Sequence, residues 1–197
     1  EMVIFTSADT WGEQAEYIRN GLEFNRFWDN VNKVLDSLDR VVLTFMSTYN
    51  ALSVPNYQKL IHGIYDLKEK YASEDRYWNS ATFLDSSYLR YPTHQTVQVL
   101  PTIWDNEILR QAQLLDFLAV PEFHSTNIGY SDIEIQKVKR IYDWKVAQWD
   151  GKEKQVKEQR YNFGKYFKEH DKRRGTNFCR VFPELEEFYK QCLEIKL

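Results

Sequence analysis

Residues 2–6, Met-Val-Ile-Phe-Thr, are apolar in unbroken succession and turn through Ser7-Ala8-Asp9 directly into a helix-like stretch. A half-buried strand alternates apolar and polar residues, whereas an unbroken apolar run suits a strand covered on both faces. The same wording recurs at 41–46, Val-Val-Leu-Thr-Phe-Met. Between the two runs, Phe24, Phe27, Trp28, Val31, Val34, Leu35 and Leu38 repeat at three- and four-residue steps, which predicts a helix over 23–38. Thr10 and Glu13 stand at capping-box spacing before the preceding short helix. After the second run, Asn50, Ser53 and Pro55 lead into another helical period through Tyr57, Leu60, Ile61, Ile64, Leu67 and Tyr71. Strands alternating with helices predict an α/β fold with a parallel sheet.

From 73 to 96 the periodicity lapses, with Tyr91-Pro92 as a turn signal, and Val97-Gln98-Val99-Leu100-Pro101 reads as a third strand. Beyond it the pattern is helical over 105–118, 131–149, 152–170 and 184–194, broken at Gly151 and Gly175. The expected division is an α/β unit over 1–104 and a mostly helical extension over 105–197. At 197 residues the chain can bury a core without crosslinks. Its two cysteines, Cys179 and Cys192, form neither a zinc ribbon nor a disulfide framework, so a reducing cytoplasmic setting is expected. No apolar stretch reaches the roughly 18–20 residues that span a bilayer, and no membrane partner is expected. Residues 150–174 carry nine Lys/Arg against five Asp/Glu within a chain of net charge −3. Helical spacing with few large apolar residues reads as a solvated helix face in preference to a nucleic-acid surface.

In open α/β sheets ligands bind beyond the carboxyl ends of the strands, which directs attention to Ser7-Ala8-Asp9, to Ser47 through Asn50, and to Leu100-Pro101. These are small polar groups and backbone beside an apolar sheet, with Arg19 one helix beyond. Such a rim suits a nucleoside, with Ser7 and Asp9 taking ribose hydroxyls, a backbone strand edge reading an adenine, and the planar fork of Arg19 pairing a carboxylate. Singly, Ser7, Asp9 and Asn50 also suit caps and turns. Other chemistries lack their motifs: there is no GxSxG, GxxxxGK[ST] or GxGxxG, and His62, His94, His124 and His170 are scattered without metal-ligand spacing. The aromatic residues at helical spacing read as core.

Taken together these segments resemble the second half of the radical S-adenosylmethionine superfamily. Strand-Ser7-Ala8-Asp9 is similar to the S-x-D end of that superfamily's fourth barrel strand, with Thr10 where many members have Gly. Tyr17-Ile-Arg19-Asn-Gly21-Leu-Glu-Phe24 followed by Val31 resembles the R-x-G-x-x-F-x-x-V segment of members with an auxiliary C-terminal region. Val41 through Asn50 resembles the fifth strand, and Gln98-Val-Leu100-Pro101 the Q-x-x-P of the sixth. The ending, Asp171-Lys-Arg-Arg-Gly175-Thr-Asn-Phe178 with Val181-Phe-Pro-Glu184, is similar to that of twitch-type members. The resemblance implies the second half of a partial (β/α)6 barrel. It implies that Ser7 and Asp9 contact the ribose of S-adenosylmethionine, Arg19 its carboxylate, Asn50 its polar groups, and Gln98, Leu100 and Pro101 the adenine edge.

The superfamily holds a [4Fe–4S] cluster through CxxxCxxC, and neither that motif nor the glycine-rich segment of the second strand occurs among these 197 residues. Both are expected upstream of Glu1, so the chain by itself is expected to be inactive. Two cysteines are also too few for a twitch or SPASM auxiliary cluster, and Cys179 reads as a packed thiol. The expected activity of the intact enzyme is reductive cleavage of S-adenosylmethionine and hydrogen abstraction from a peptide or small-molecule substrate. The alternative is a non-catalytic helical interaction module whose α/β core only echoes the superfamily and whose binding face is the basic helix at 152–174.

Overall fold

The computed structural model describes residues 2–72, 80–119, 128–147 and 153–197. His124, Trp149 and Gly151 lie outside them. The described elements are β1 (Met2–Ser7), α1 (Gly12–Ile18), α2 (Phe24–Ser37), β2 (Val41–Tyr49), α3 (Tyr57–Lys70), β3 (Thr82–Tyr88), α4 (Asp105–Phe117), α5 (Asp132–Val146), α6 (Glu153–Arg174), α7 (Phe178–Val181) and α8 (Glu186–Glu194). The fold is α/β, and its sheet is parallel, in the order β1-β2-β3.

The third strand is not the one expected. Val97–Val99 is a 3-10 turn, in which the N–H of Val99 donates to the carbonyl of Thr96 and that of Leu100 to Val97. The strand is Thr82–Tyr88, whose sequence TFLDSSY mixes apolar and polar residues. Its pairing with β2 brings Leu84 opposite Phe45 and Asp85 opposite Met46. Tertiary pairing outweighs the weak local apolar signal of this segment. The Thr10–Glu13 capping box does not form either. Trp11 is the N-cap of α1, the buried Thr10 hydroxyl points at the Ser53 carbonyl, and Glu13 pairs with Arg180. A capping box does open α5, between Ser131 and Glu134.

Register assigns the two faces of the sheet. Leu43, Phe45 and Tyr49 of β2, with Leu84 of β3, are buried against α2 and α3: the Trp28 ring lies 5.7 Å from that of Phe45, and the Tyr57 hydroxyl meets Ser86 at 2.5 Å. On this side α3 approaches α1 so closely that a Cβ on Gly63 would collide with the Trp11 ring. On the other face Val3, Phe5 and Ser7 stand beside Val42, Thr44 and Met46, and these beside Phe83 and Asp85. Here Val3, Phe5 and Met46 keep 51%, 64% and 46% of their surface exposed. Parallel sheets are normally covered on both faces; among the described residues this face stays open along β1 and at Met46, while Thr44 between them is buried. The outer edge of β3 is sealed by α5, whose Glu134 accepts the N–H of Leu84, while β1 pairs with β2 alone among the described residues.

The later helices close around α1. Tyr17 donates its hydroxyl to Asp171 at 2.8 Å, and its ring packs between those of Phe182 and His170. Asp171 also accepts the Thr176 hydroxyl and the N–H of Phe178, both at 2.7 Å. Gly175, at φ +64°, ends α6 in the left-handed conformation that L side chains avoid. The Asp171–Phe178 segment thus folds as a helix stop stapled to α1. Among the helical periods expected to be buried, Leu38 is exposed at the end of α2.

Candidate functional site

The carboxyl ends of β1 and β2 are joined through one carboxylate. Asp9, 4% exposed, accepts the Thr48 N–H at 2.8 Å on Oδ1 and the Arg19 Nε–H at 2.9 Å on Oδ2. Asp9 follows β1, Thr48 is near the end of β2, and Arg19 caps the end of α1. A buried carboxylate is tolerated where each oxygen receives a strong donor, and both do here. The pair also orients Arg19: its Nε is bonded to Asp9 and the side chain is half-exposed. Gly21, at φ +85°, turns the chain just beyond.

Ser7 lies beside Met46 on the uncovered face. Asn50 serves its own turn: its amide donates to the Thr48 carbonyl at 3.0 Å and its Oδ1 accepts the Leu52 N–H at 2.9 Å. That is an Asx-type turn, and it holds the exit of β2. The segment after β3 returns to this exit, because the N–H of Ala51 donates to the carbonyl of Gln95. Gln98 donates to the Trp144 carbonyl on α5, Leu100 is buried, and the carbonyl of Val99 accepts the Arg160 Nε–H. These groups therefore do not present the free strand edge expected for an adenine; turn and helix contacts use the backbone there. Pro101 borders a groove of about 620 Å³ between α4 and α8, lined by Trp104, Glu107 and Phe188. Ser7, Asp9, Arg19 and Asn50 are thus gathered around the ends of β1 and β2, and the Gln98–Pro101 segment runs from that rim toward α4.

The reading of the sequence missed the groups around the end of β3. Asp85, Ser87, Tyr88 and Arg90 meet Lys137 and Arg140 of α5 around a pocket of about 320 Å³. The segment TFLDSSY mixes apolar and polar residues on both faces and so gives no period-two signal for the strand. At the centre of the sheet's buried face, burial pushes the Tyr57 phenol up to about 12, with the hydrogen bond to Ser86 opposing it, so its proton stays in place.

The cysteines do not fit an iron–sulfur cluster. They sit on α7 and α8, two thiols cannot replace three cluster thiolates, and among the described residues no group of three or more metal-ligating side chains assembles. Burial pushes Cys192 up to about 12, while Cys179 is half-buried and raised less, first by burial and then by Glu186. Since the thiolate is the reactive form, a disulfide reagent at pH 8 is expected to titrate one thiol, Cys179, in the native chain and the second only after denaturant is added. Two equally fast thiols would show that α8 does not pack as described. No protein-family model, curated protein or solved structure matches the chain.

Proposed function

We propose that this chain supplies the S-adenosylmethionine-facing part of a radical S-adenosylmethionine enzyme, working with a cluster-bearing segment outside these 197 residues. One observation carries the reading: Asp9 ties the ends of two adjacent parallel strands to Arg19 at the rim of a sheet face that stays open along β1 and at Met46. Ligands of α/β sheets collect at that end. The open face is apolar at Val3 and Phe5, low on β1, and carries Ser7, Thr48 and Ser87 toward the carboxyl ends, with Met46 beside Ser7.

In this reading the residues divide their work. Asp9 positions Arg19, whose terminal nitrogens take the carboxylate of the cofactor's methionyl part in a bidentate grip. The hydroxyls of Ser7 and Thr48 face the ribose, and Asn50 shapes the β2 turn on which that contact depends. The apolar residues below keep water from the reacting group. When bound, the cluster and S-adenosylmethionine supply a 5′-deoxyadenosyl radical for hydrogen abstraction from substrate. The partial barrel and a cytoplasmic location belong to the same proposal; the finding they start from is the parallel α/β sheet, and no described helix is long and apolar enough to cross a membrane.

The coding sequence continuous with Glu1 tests this reading. A CxxxCxxC roughly a hundred residues upstream, at the spacing of a half-barrel, is the expected result. A frame that extends that far without those cysteines removes the proposal.

A further inference from the structure

We infer that the pocket at the carboxyl end of β3 binds a phosphoryl group. Its charged lining is Arg90, Lys137 and Arg140 against the one carboxylate of Asp85, an excess of two positive charges. Lys137 and Asp85 contact each other at 2.5 Å and cancel, so the excess belongs to the two arginines, and neither guanidinium meets a carboxylate among the described residues. An unneutralised pair of guanidinium groups at one pocket matches the charge of a phosphate monoester, about −1.5 to −2 at neutral pH.

The arginines are held in advance. The Arg90 guanidinium lies 5.2 Å from the centre of the Tyr88 ring and donates to the Tyr88 hydroxyl at 3.0 Å. Tyr88 in turn stacks on Trp144 of α5, with ring centres 4.8 Å apart and planes at 16°. Arg140 lies one turn before Trp144 and one turn after Lys137, and its Nε is fixed on the Gln136 carbonyl, which leaves both terminal nitrogens available. A planar fork already oriented loses less freedom when it takes an oxyanion. The exposed Ser87 adds a hydroxyl, and about 320 Å³ accommodates a small phosphorylated molecule. Asp85 and Ser87 stand on the same sheet face as Met46 and Thr48 and in register with them. That the phosphoryl group belongs to the substrate rests on the function proposed above; the anion site itself does not.

The test uses the 197-residue chain and inorganic phosphate, titrated at constant ionic strength and followed by amide NMR shifts. Saturable shifts at 85–90 and 137–140 are expected, weakened about tenfold or more in Arg90→Gln/Arg140→Gln and unchanged in Arg173→Gln on α6. Both arginines are exposed, and unchanged shifts elsewhere in the spectrum verify that the double variant folds. Shifts that do not saturate, or that ignore the double variant, overturn the site. Acetate binding there as tightly as phosphate overturns the phosphoryl assignment in favour of a carboxylate. Because the titration needs neither cluster nor S-adenosylmethionine, phosphate binding without S-adenosylmethionine cleavage rejects the wider reading alone. Cleavage without phosphate binding rejects this one alone.

Discussion

Replacing Glu134 by alanine is expected to remove about 3–5 kcal/mol of unfolding free energy, read as a lower urea midpoint with an unchanged slope. Glu134 and Lys68 are 1% and 2% exposed and meet at 3.0 Å. The carboxylate also accepts the N–H of Leu84, and the N–H and hydroxyl of Ser131, each at 2.8 Å. Lys68 further donates to the Thr82 carbonyl at 2.9 Å. Three elements, α3, β3 and α5, therefore share one buried network, and its loss strands an ammonium and two backbone donors at once. Burial lowers the Lys68 pKa below its ordinary 10.5, and Glu134 opposes that fall. In the variant the opposition is gone, so between the lowered native value and 10.5 the unfolded chain binds more protons than the native one. Stability of Glu134→Ala relative to wild type must then recover as pH rises through that window. A loss below about 1 kcal/mol would show that the network is not closed as described.

The second large effect is expected at Asp9. Asp9→Ala leaves the Thr48 N–H without its charged acceptor, a bond of about 1.5–3 kcal/mol, and frees the half-exposed Arg19, a pair of about 0–1 kcal/mol. A loss of about 2–4 kcal/mol is expected on that basis, with Asp9→Asn, which keeps one carbonyl acceptor, recovering part of it. Arg19→Gln separates function from stability. Arg19 is half-exposed, so its loss should cost less than 1 kcal/mol of stability, while S-adenosylmethionine affinity in the cluster-bearing protein should fall tenfold or more. Equal affinity in Arg19→Gln would remove the arginine from the cofactor site.

The parts of the fold that could be read from the sequence are those with an unbroken apolar run or a clear helical period. Residues 2–6 and 41–46 announce β1 and β2, and the spacing from Phe24 to Leu35 announces α2. β3 was hidden because TFLDSSY carries polar residues on both faces, Thr82 and Ser86 on the buried one and Asp85 and Ser87 on the other, and Val97–Leu100 looked the better strand on apolarity alone. Burial without a ladder gives the same composition: Val97, Val99 and Leu100 are buried in a 3-10 turn. At the site, the clustering of Ser7, Asp9, Arg19 and Asn50 followed from topology. The Asp9–Arg19 pair did not, since it depends on where α1 ends, and the Lys137–Arg140 face depends on a strand the pattern conceals.

The central claim is that this sheet rim holds S-adenosylmethionine in a radical enzyme. The most direct measurement is anaerobic release of 5′-deoxyadenosine by the polypeptide translated from the whole frame containing these residues, reconstituted with iron and sulfide and given S-adenosylmethionine and dithionite. The account predicts 5′-deoxyadenosine from the wild type, with tenfold or greater loss at limiting S-adenosylmethionine in Arg19→Gln. A reconstituted protein that forms none, or an Arg19→Gln variant that forms it at the wild-type rate, would contradict it.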